Sequence, residues 1–187
     1  MNKIFFTSDT HFNQQRTLDL SKRPFKDLDE MNNTIITNWN NIIGTNDIVI
    51  HCGDFGEYDF IKQLNGKVIL IYGNYEMKDS DKEGVNEFYN RLKSLGFYSL
   101  KPSGSVVLPI NEELSFNFCH KPTDANPNYF NVFGHVHGLS KVKKFGLNVG
   151  VDTNFFRPYS LEDILYFKNA IENFYDNDVF INDLNDF

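Results

Sequence analysis

Short continuous apolar runs, each closed by polar or glycine residues, recur through the first half of the chain: KIFFTS (3–8), DIVIHC (47–52) and KVILIY (67–72). They lack the alternation of a half-exposed strand and so predict strands covered on both faces, as in a parallel sheet. Between the first two, KDLDEMNNTIITNWNNIIG sets Leu28, Met31, Ile35, Trp39 and Ile42 at steps of three and four. That period predicts an amphipathic helix, with Asp27 as its N-cap and Gly44 just past its end. A shorter helix is expected around Tyr58 to Asn65, stopped by Gly66, and another through Val85, Phe88, Tyr89, Leu92 and Leu95 to Gly96. Strands alternating with helices define an α/β chain with a mostly parallel sheet.

From Phe97 to about Val151 the pattern changes to short strands joined by turns, SVVLPI, LSFNFC, YFNVFG and FGLNVGV, which predict a second sheet packed on the first. Ser160-Leu-Glu-Asp163 then forms a capping box for a last helix carrying Ile164, Leu165, Phe167 and Ile171. No linker or repeat interrupts the 187 residues, so one domain spanning 1–187 is expected, with an acidic tail at about 176–187 that frays. Apolar residues at 41% and charged residues at 23% describe an ordered globular chain. The start, MNKIFFTSDTHF, reaches Asp9 too soon for a signal peptide or membrane span, so a cytoplasmic protein without membrane contact is expected. A formal charge of −7 argues against an extended nucleic-acid surface, which needs clustered Lys and Arg, but leaves room for a metal site that captures one phosphate. Cys52 and Cys119 lack the spacing of a metal knuckle and read as buried thiols.

The chemistry gathers where predicted strands end: Asp9-Thr-His11, Gly53-Asp54, Gly73-Asn74, Cys119-His120 and Gly134-His-Val-His137. In an open sheet, ligands bind beyond the carboxyl ends of the strands. Asp9 with His11, and His135 with His137, are two residues apart, so an extended backbone would aim each pair into one small volume. A lone D-x-H is weak evidence, and Gly-Asp or Gly-Asn is most often only a turn. Four of the 5 histidines falling at strand exits in this order is the stronger signal.

These motifs resemble those of the calcineurin-like metallophosphoesterase family, D-x-H, G-D, G-N-H-[D/E], H and G-H-x-H in that order. TSDTHF, RPF, HCGDF, LNGK, GHVHG and NVGVDTNFFRPYSLEDIL are similar to its small single-domain bacterial and phage members. The resemblance implies a four-layer sandwich of two mixed β-sheets flanked by helices. It also implies two divalent transition-metal ions, manganese foremost, with iron, nickel or zinc as alternatives. Asp9, His11 and His137 would hold the first, Asn74, His120 and His135 the second, and Asp54 would bridge them with its two oxygens. The implied reaction is hydrolysis of a phosphoester, by attack of a metal-bound hydroxide in line at phosphorus. The substrate would be a small or terminal monoester or diester, including a nucleotide.

Tyr75 departs from the pattern, because the family has histidine there to meet the leaving group. A phenol donates a hydrogen bond but is slow to give up its proton. His51 is the remaining candidate donor, and its alternative reading is a histidine that packs in the core or supports a ligand. Small members often carry a further histidine just after D-x-H, where this chain has Asn13 and Gln14. Glu76 fits the acidic position of the motif, either supporting the site or starting a helix. Arg23 and Arg157 are read as structural corners or phosphate contacts, and Lys141-Val-Lys-Lys144 as a solvated hairpin or a steering patch. The rival to an enzyme is a noncatalytic scaffold that keeps the fold and its metals, a reading that Tyr75 favours and the full ligand set opposes.

Overall fold

The computed structural model describes residues 2–102 and 104–180. Four parallel strands build the first sheet: β1 (Ile4–Thr7), β2 (Ile48–His51), β3 (Lys67–Ile71) and β4 (Ser99–Lys101). Tyr159–Ser160, the last strand among the described residues and labelled β10, adds antiparallel to β1, giving the order β10-β1-β2-β3-β4. The second sheet holds β5 (Ser105–Pro109), β6 (Ser115–Cys119), β7 (Asn131–Phe133), β8 (Val142–Lys143) and β9 (Gly146–Asn148), in the order β5-β6-β7-β9-β8. Its central strands β6, β7 and β9 are parallel and its edges antiparallel, so both five-stranded sheets are mixed, as expected.

Residue alternation along the strands divides the core in two. Phe6, Ile50 and Ile71 face the second sheet and meet Phe116, Phe118, Val132 and Leu147, with Phe6 and Phe118 stacked at 5.8 Å. Phe5, Val49, Val68 and Leu70 face the other way, into a layer of helices. Four helices belong to that first half: α1 (Gln15–Leu20), α2 (Leu28–Asn40), α3 (Asn74–Glu83) and α4 (Val85–Leu95). α5 (Leu161–Asn173) sends Ile164 and Ile171 into the core between the sheets, and its Ser160–Asp163 capping box forms as the sequence predicts. No helix among the described residues is long and apolar enough to cross a membrane.

Several local expectations are corrected. Asp27 caps α2, but the helix ends at Asn40, and both Ile42 and Ile43 donate to the Trp39 carbonyl. The chain therefore turns Ile43 inward and leaves Ile42 exposed. Tyr58–Gln63 is a 3-10 helix, and in α4 Val85 and Tyr89 are exposed while Phe88 and Leu92 carry the packing. Within the expected tail, Asn177–Phe180 form a 3-10 turn, and Phe180 is partly buried against the inter-sheet core. The rest of the expected tail, 181–187, lies outside the described residues.

Candidate metal centre

The carboxyl ends of β1, β2 and β3 and those of β6 and β7 open on the same crevice, so residues far apart in sequence meet there. Two groups of ligating side chains result, Asp9 with His11 and His137, and Asp54 with His120 and His135, the ligand atoms within each lying inside 4.8 Å of one another. Asn74 joins the second group, its Oδ1 2.9 Å from His120 Nε2 and 3.1 Å from His135 Nδ1. Asp54 stands between the groups, but only one of its oxygens does the joining. Oδ2 lies 3.7 Å from His11 Nε2 and 3.3 Å from His120 Nε2, while Oδ1 accepts the Tyr75 N–H at 3.0 Å.

The backbone that delivers these side chains is not extended. Asp9, His11, Asp54, His135 and His137 all sit at φ between 47° and 73°, the left-handed region that L side chains rarely adopt. Tight left-handed turns aim each pair, and they send His135 and His137 to different groups. Gly53, at φ 95°, makes the approach possible: a Cβ there would lie 2.5 Å from the Gly73 nitrogen and 2.9 Å from His120 Nδ1.

Three of the rings are held through Nδ1, which in the neutral tautomer turns Nε2 toward the ligand group as an acceptor. His11 Nδ1 donates to Gln14 Oε1 at 2.7 Å, His120 Nδ1 to the Cys52 carbonyl at 2.8 Å, and His137 Nδ1 to Asp152 Oδ2 at 3.0 Å. As a result, Asp9 Oδ1 and His11 Nε2 are buried without any hydrogen-bond partner. Two orphaned acceptors facing one another at 3.7 Å are costly unless a cation sits between them, so the donor set fits a metal ion. Its mixture of imidazole nitrogens and carboxylate or amide oxygens suits a divalent transition metal. Burial drives the Asp9 carboxyl upward, but His11 and the neighbouring His120 and His137 outweigh it and hold the group well below the ordinary range. Burial likewise opposes protonation of His120, yet Asp54 and Asp9 raise it to about 9.

Supporting residues complete the centre. Glu76, fully buried at the start of α3, accepts the N–H groups of Asp54, Phe55 and Gly73, each at 2.8 Å, and so ties the β2 exit to the β3 exit. Arg23 is a structural corner: its guanidinium pairs with Asp152 at 2.8 and 2.9 Å and donates to the carbonyls of Asp9 and Thr10. Asp152 was not singled out in the sequence, although an acid just past the buried VGV run of NVGVDT was its signal; Gln14 was noted only as a missing histidine. Lys141 lies over Tyr159 and Phe167, Lys144 over Phe180, and only Lys143 borders the crevice, so the lysine run does not form one patch. Cys52 and Cys119 are buried free thiols, as expected.

His51 is not brought into this group. It is fully buried, its Nδ1 accepts the Gly53 N–H at 3.2 Å, and its Nε2 donates to Thr10 Oγ1 at 3.0 Å, which passes its own proton to the Phe55 carbonyl. Both nitrogens are engaged, and burial lowers its pKa to about 3. Tyr75 does reach the crevice, edge-on to His11 with ring centroids 5.4 Å apart, and its hydroxyl accepts from Arg16 Nη1 at 2.8 Å.

Two mixed sheets meeting at an acid- and histidine-lined crevice define a metal-binding α/β sandwich. Residues 2–153 match the model of the calcineurin-like phosphoesterase superfamily domain, and the chain belongs to that superfamily, whose members act on phosphoesters. It is 30% identical over 173 residues to the uncharacterized protein MJ1445 of Methanocaldococcus jannaschii, with 88% of this chain and 90% of that one covered. The crystal structure of a protein of unknown function from Aquifex aeolicus, AQ665, shares the fold at a TM-score of 0.66 and 20% identity, covering 89% of this chain and all 100% of that one.

Proposed function

We propose that the protein is a metal-dependent phosphoester hydrolase, a single-domain enzyme of the cytoplasm that works with two divalent cations, manganese first among them. The observation that carries the reading is Asp54 Oδ2, which lies between the two ligand groups, the first of which holds the buried acceptors Asp9 Oδ1 and His11 Nε2 without partners. Asp9, His11 and His137 would hold one ion and Asn74, His120 and His135 the other. Ions held there would polarise a phosphoryl oxygen and lower the pKa of water toward neutrality. The chain's own contribution is orientation: Gln14, the Cys52 carbonyl and Asp152 fix the rings, and Glu76 fixes the loop that presents Asp54. Tyr75 lines the crevice and would offer a departing group a hydrogen bond, its hydroxyl held by Arg16.

The test is elemental analysis of metal-reconstituted protein together with hydrolysis of a chromogenic phosphodiester in manganese. Close to two ions per chain and turnover that vanishes in Asp54→Ala are expected. Two ions without hydrolysis of monoesters or diesters would instead establish the scaffold reading that Tyr75 favours, and no bound metal would defeat both.

A further inference from the structure

The crevice beside the first ligand group opens into a pocket of about 560 Å³. A phosphate alone would leave most of that space unfilled, since pockets of about 300 to 1,000 Å³ ordinarily enclose a whole organic ligand. Its wall away from the ligands comes from α1 and the turn after it. Arg16, Thr17, Ser21 and Lys22 line it with Tyr75, and Leu20 and Leu139, 65% and 91% exposed, flank the mouth. Asp54 is the only acid on the lining.

That wall is basic in an acidic molecule. The chain carries 25 acids against 18 Lys and Arg; Arg23 is paired with Asp152 and Arg91 with Glu83, while Arg157 lies over the Phe155 ring. Among the described residues Arg16 and Lys22 form no ion pair. Arg16 is nevertheless held, by the hydroxyl of Tyr75, with its other N–H donors left over. Lys22 occupies a left-handed turn at φ 51° on the same wall. Two cations without ion pairs and several hydroxyls around an organic-sized space supply the donors that an anion requires.

We propose that Arg16, held by Tyr75 and joined by Lys22, binds a second anionic group on the organic arm of the substrate. The preferred substrates are then phosphoesters of an already phosphorylated alcohol, such as a nucleotide or sugar phosphate, rather than of a neutral alcohol. The inference rests on the hydrolase reading for placing one phosphate at the metals. Tyr75 in place of histidine acquires a reason: a phenol can accept from Arg16 and fix its position.

The experiment uses ligands that cannot be hydrolysed, titrated calorimetrically into the manganese-loaded full chain. Alkylene bisphosphonates with linkers of about three to six carbons, which span a pocket of this size, are compared with the matching alkyl monophosphonates. At least one bisphosphonate should bind about tenfold tighter than its partner, and less so as salt is raised. Arg16→Ala or Lys22→Ala should narrow that gap to about threefold or less, Arg16→Lys should keep part of it, and Tyr75→Phe should weaken it by loosening Arg16. Lys62→Ala, remote and paired with Asp59, is the control that leaves the gap intact. Metal content at the wild-type level verifies that each variant is folded. Equal binding of both ligand classes by the wild type, or a gap that survives Arg16→Ala, overturns the proposal. If ester hydrolysis is present without the gap, the subsite alone fails; a gap without any hydrolysis sinks the enzyme reading and keeps the subsite.

Discussion

At the scale of single residues, the centre depends on side chains that touch no metal. Asp152 joins His137 to Arg23, whose side chain is fully buried. Asp152→Ala should therefore act twice. It strands the guanidinium, which should cost about 3 to 5 kcal/mol in urea unfolding of the metal-free protein. It also frees the His137 ring, which should weaken the first metal by about 10- to 100-fold in a direct titration. Asp152→Asn, which keeps one oxygen acceptor, should recover part of the second loss; a variant with unchanged metal affinity would show that His137 needs no such support. His51 yields a prediction in pH. Burial lowers its folded pKa from 6.5 to about 3, so the unfolded chain binds the extra proton between those values. The contribution of His51 to stability is thus complete above pH 6.5 and lost as pH falls toward 3. The reason is local, because an imidazolium could no longer accept the Gly53 N–H. The stability gap between wild type and His51→Gln, measured by urea unfolding across this range, should close as the solution is acidified. A gap independent of pH would mean that the ring is not held neutral. The ligands were legible in the sequence because they are rare residue types at strand exits, whereas Gln14 and Asp152 were not, since hydrogen bonding to a distant ring leaves no spacing to read.

At the scale of elements, what could be read was what packs. β1, β2 and β3 are buried apolar runs, and α2 and α4 carry a periodic face, so each announces itself. α3 buries only Glu76 and Ser80, and α1 only Thr17 and Leu18, so neither shows an apolar stripe; α1 leaves no signal, and α3 only the acid Glu76 in its first turn. β4, β8 and β10, of 3, 2 and 2 residues, are too short for a period of two to register. The turns that carry the ligands were misread as extended, because left-handed backbone at Asp, His or Lys has no reliable signature in composition. That strain is measurable. His135 sits at φ 73° and is exposed, so its removal disturbs little packing. His135→Gly and His135→Ala should both lose the second metal, yet metal-free His135→Gly should be the more stable by about 1 kcal/mol, because glycine alone is unstrained there. Alanine equal to or better than glycine in urea unfolding would show that the turn relaxes when the side chain goes.

At the scale of the whole molecule, the two sheets are joined along their faces by apolar packing and at one end by the ligand groups. Asp9 and His11 leave the first sheet and His137 the second; Asp54 and Asn74 leave the first, and His120 and His135 the second. Each proposed ion would therefore pin one sheet to the other, the first of them where the buried acceptors Asp9 Oδ1 and His11 Nε2 otherwise oppose one another. Ions that bind only the folded chain must raise its stability by mass action, by about 4 kcal/mol for one site at free metal near a thousand times Kd. Thermal unfolding in manganese should accordingly occur at a markedly higher temperature than in chelator, and the midpoint should climb with the logarithm of metal concentration. His11→Ala and His120→Ala should each forfeit part of that rise, one ion apiece, while Asp54→Ala, serving both groups through Oδ2, should forfeit nearly all of it. Equal losses in all three variants would mean that the ions bind as an inseparable pair. A midpoint indifferent to metal in the wild type would mean that the crevice holds none, and that its opposed acceptors are satisfied by water alone.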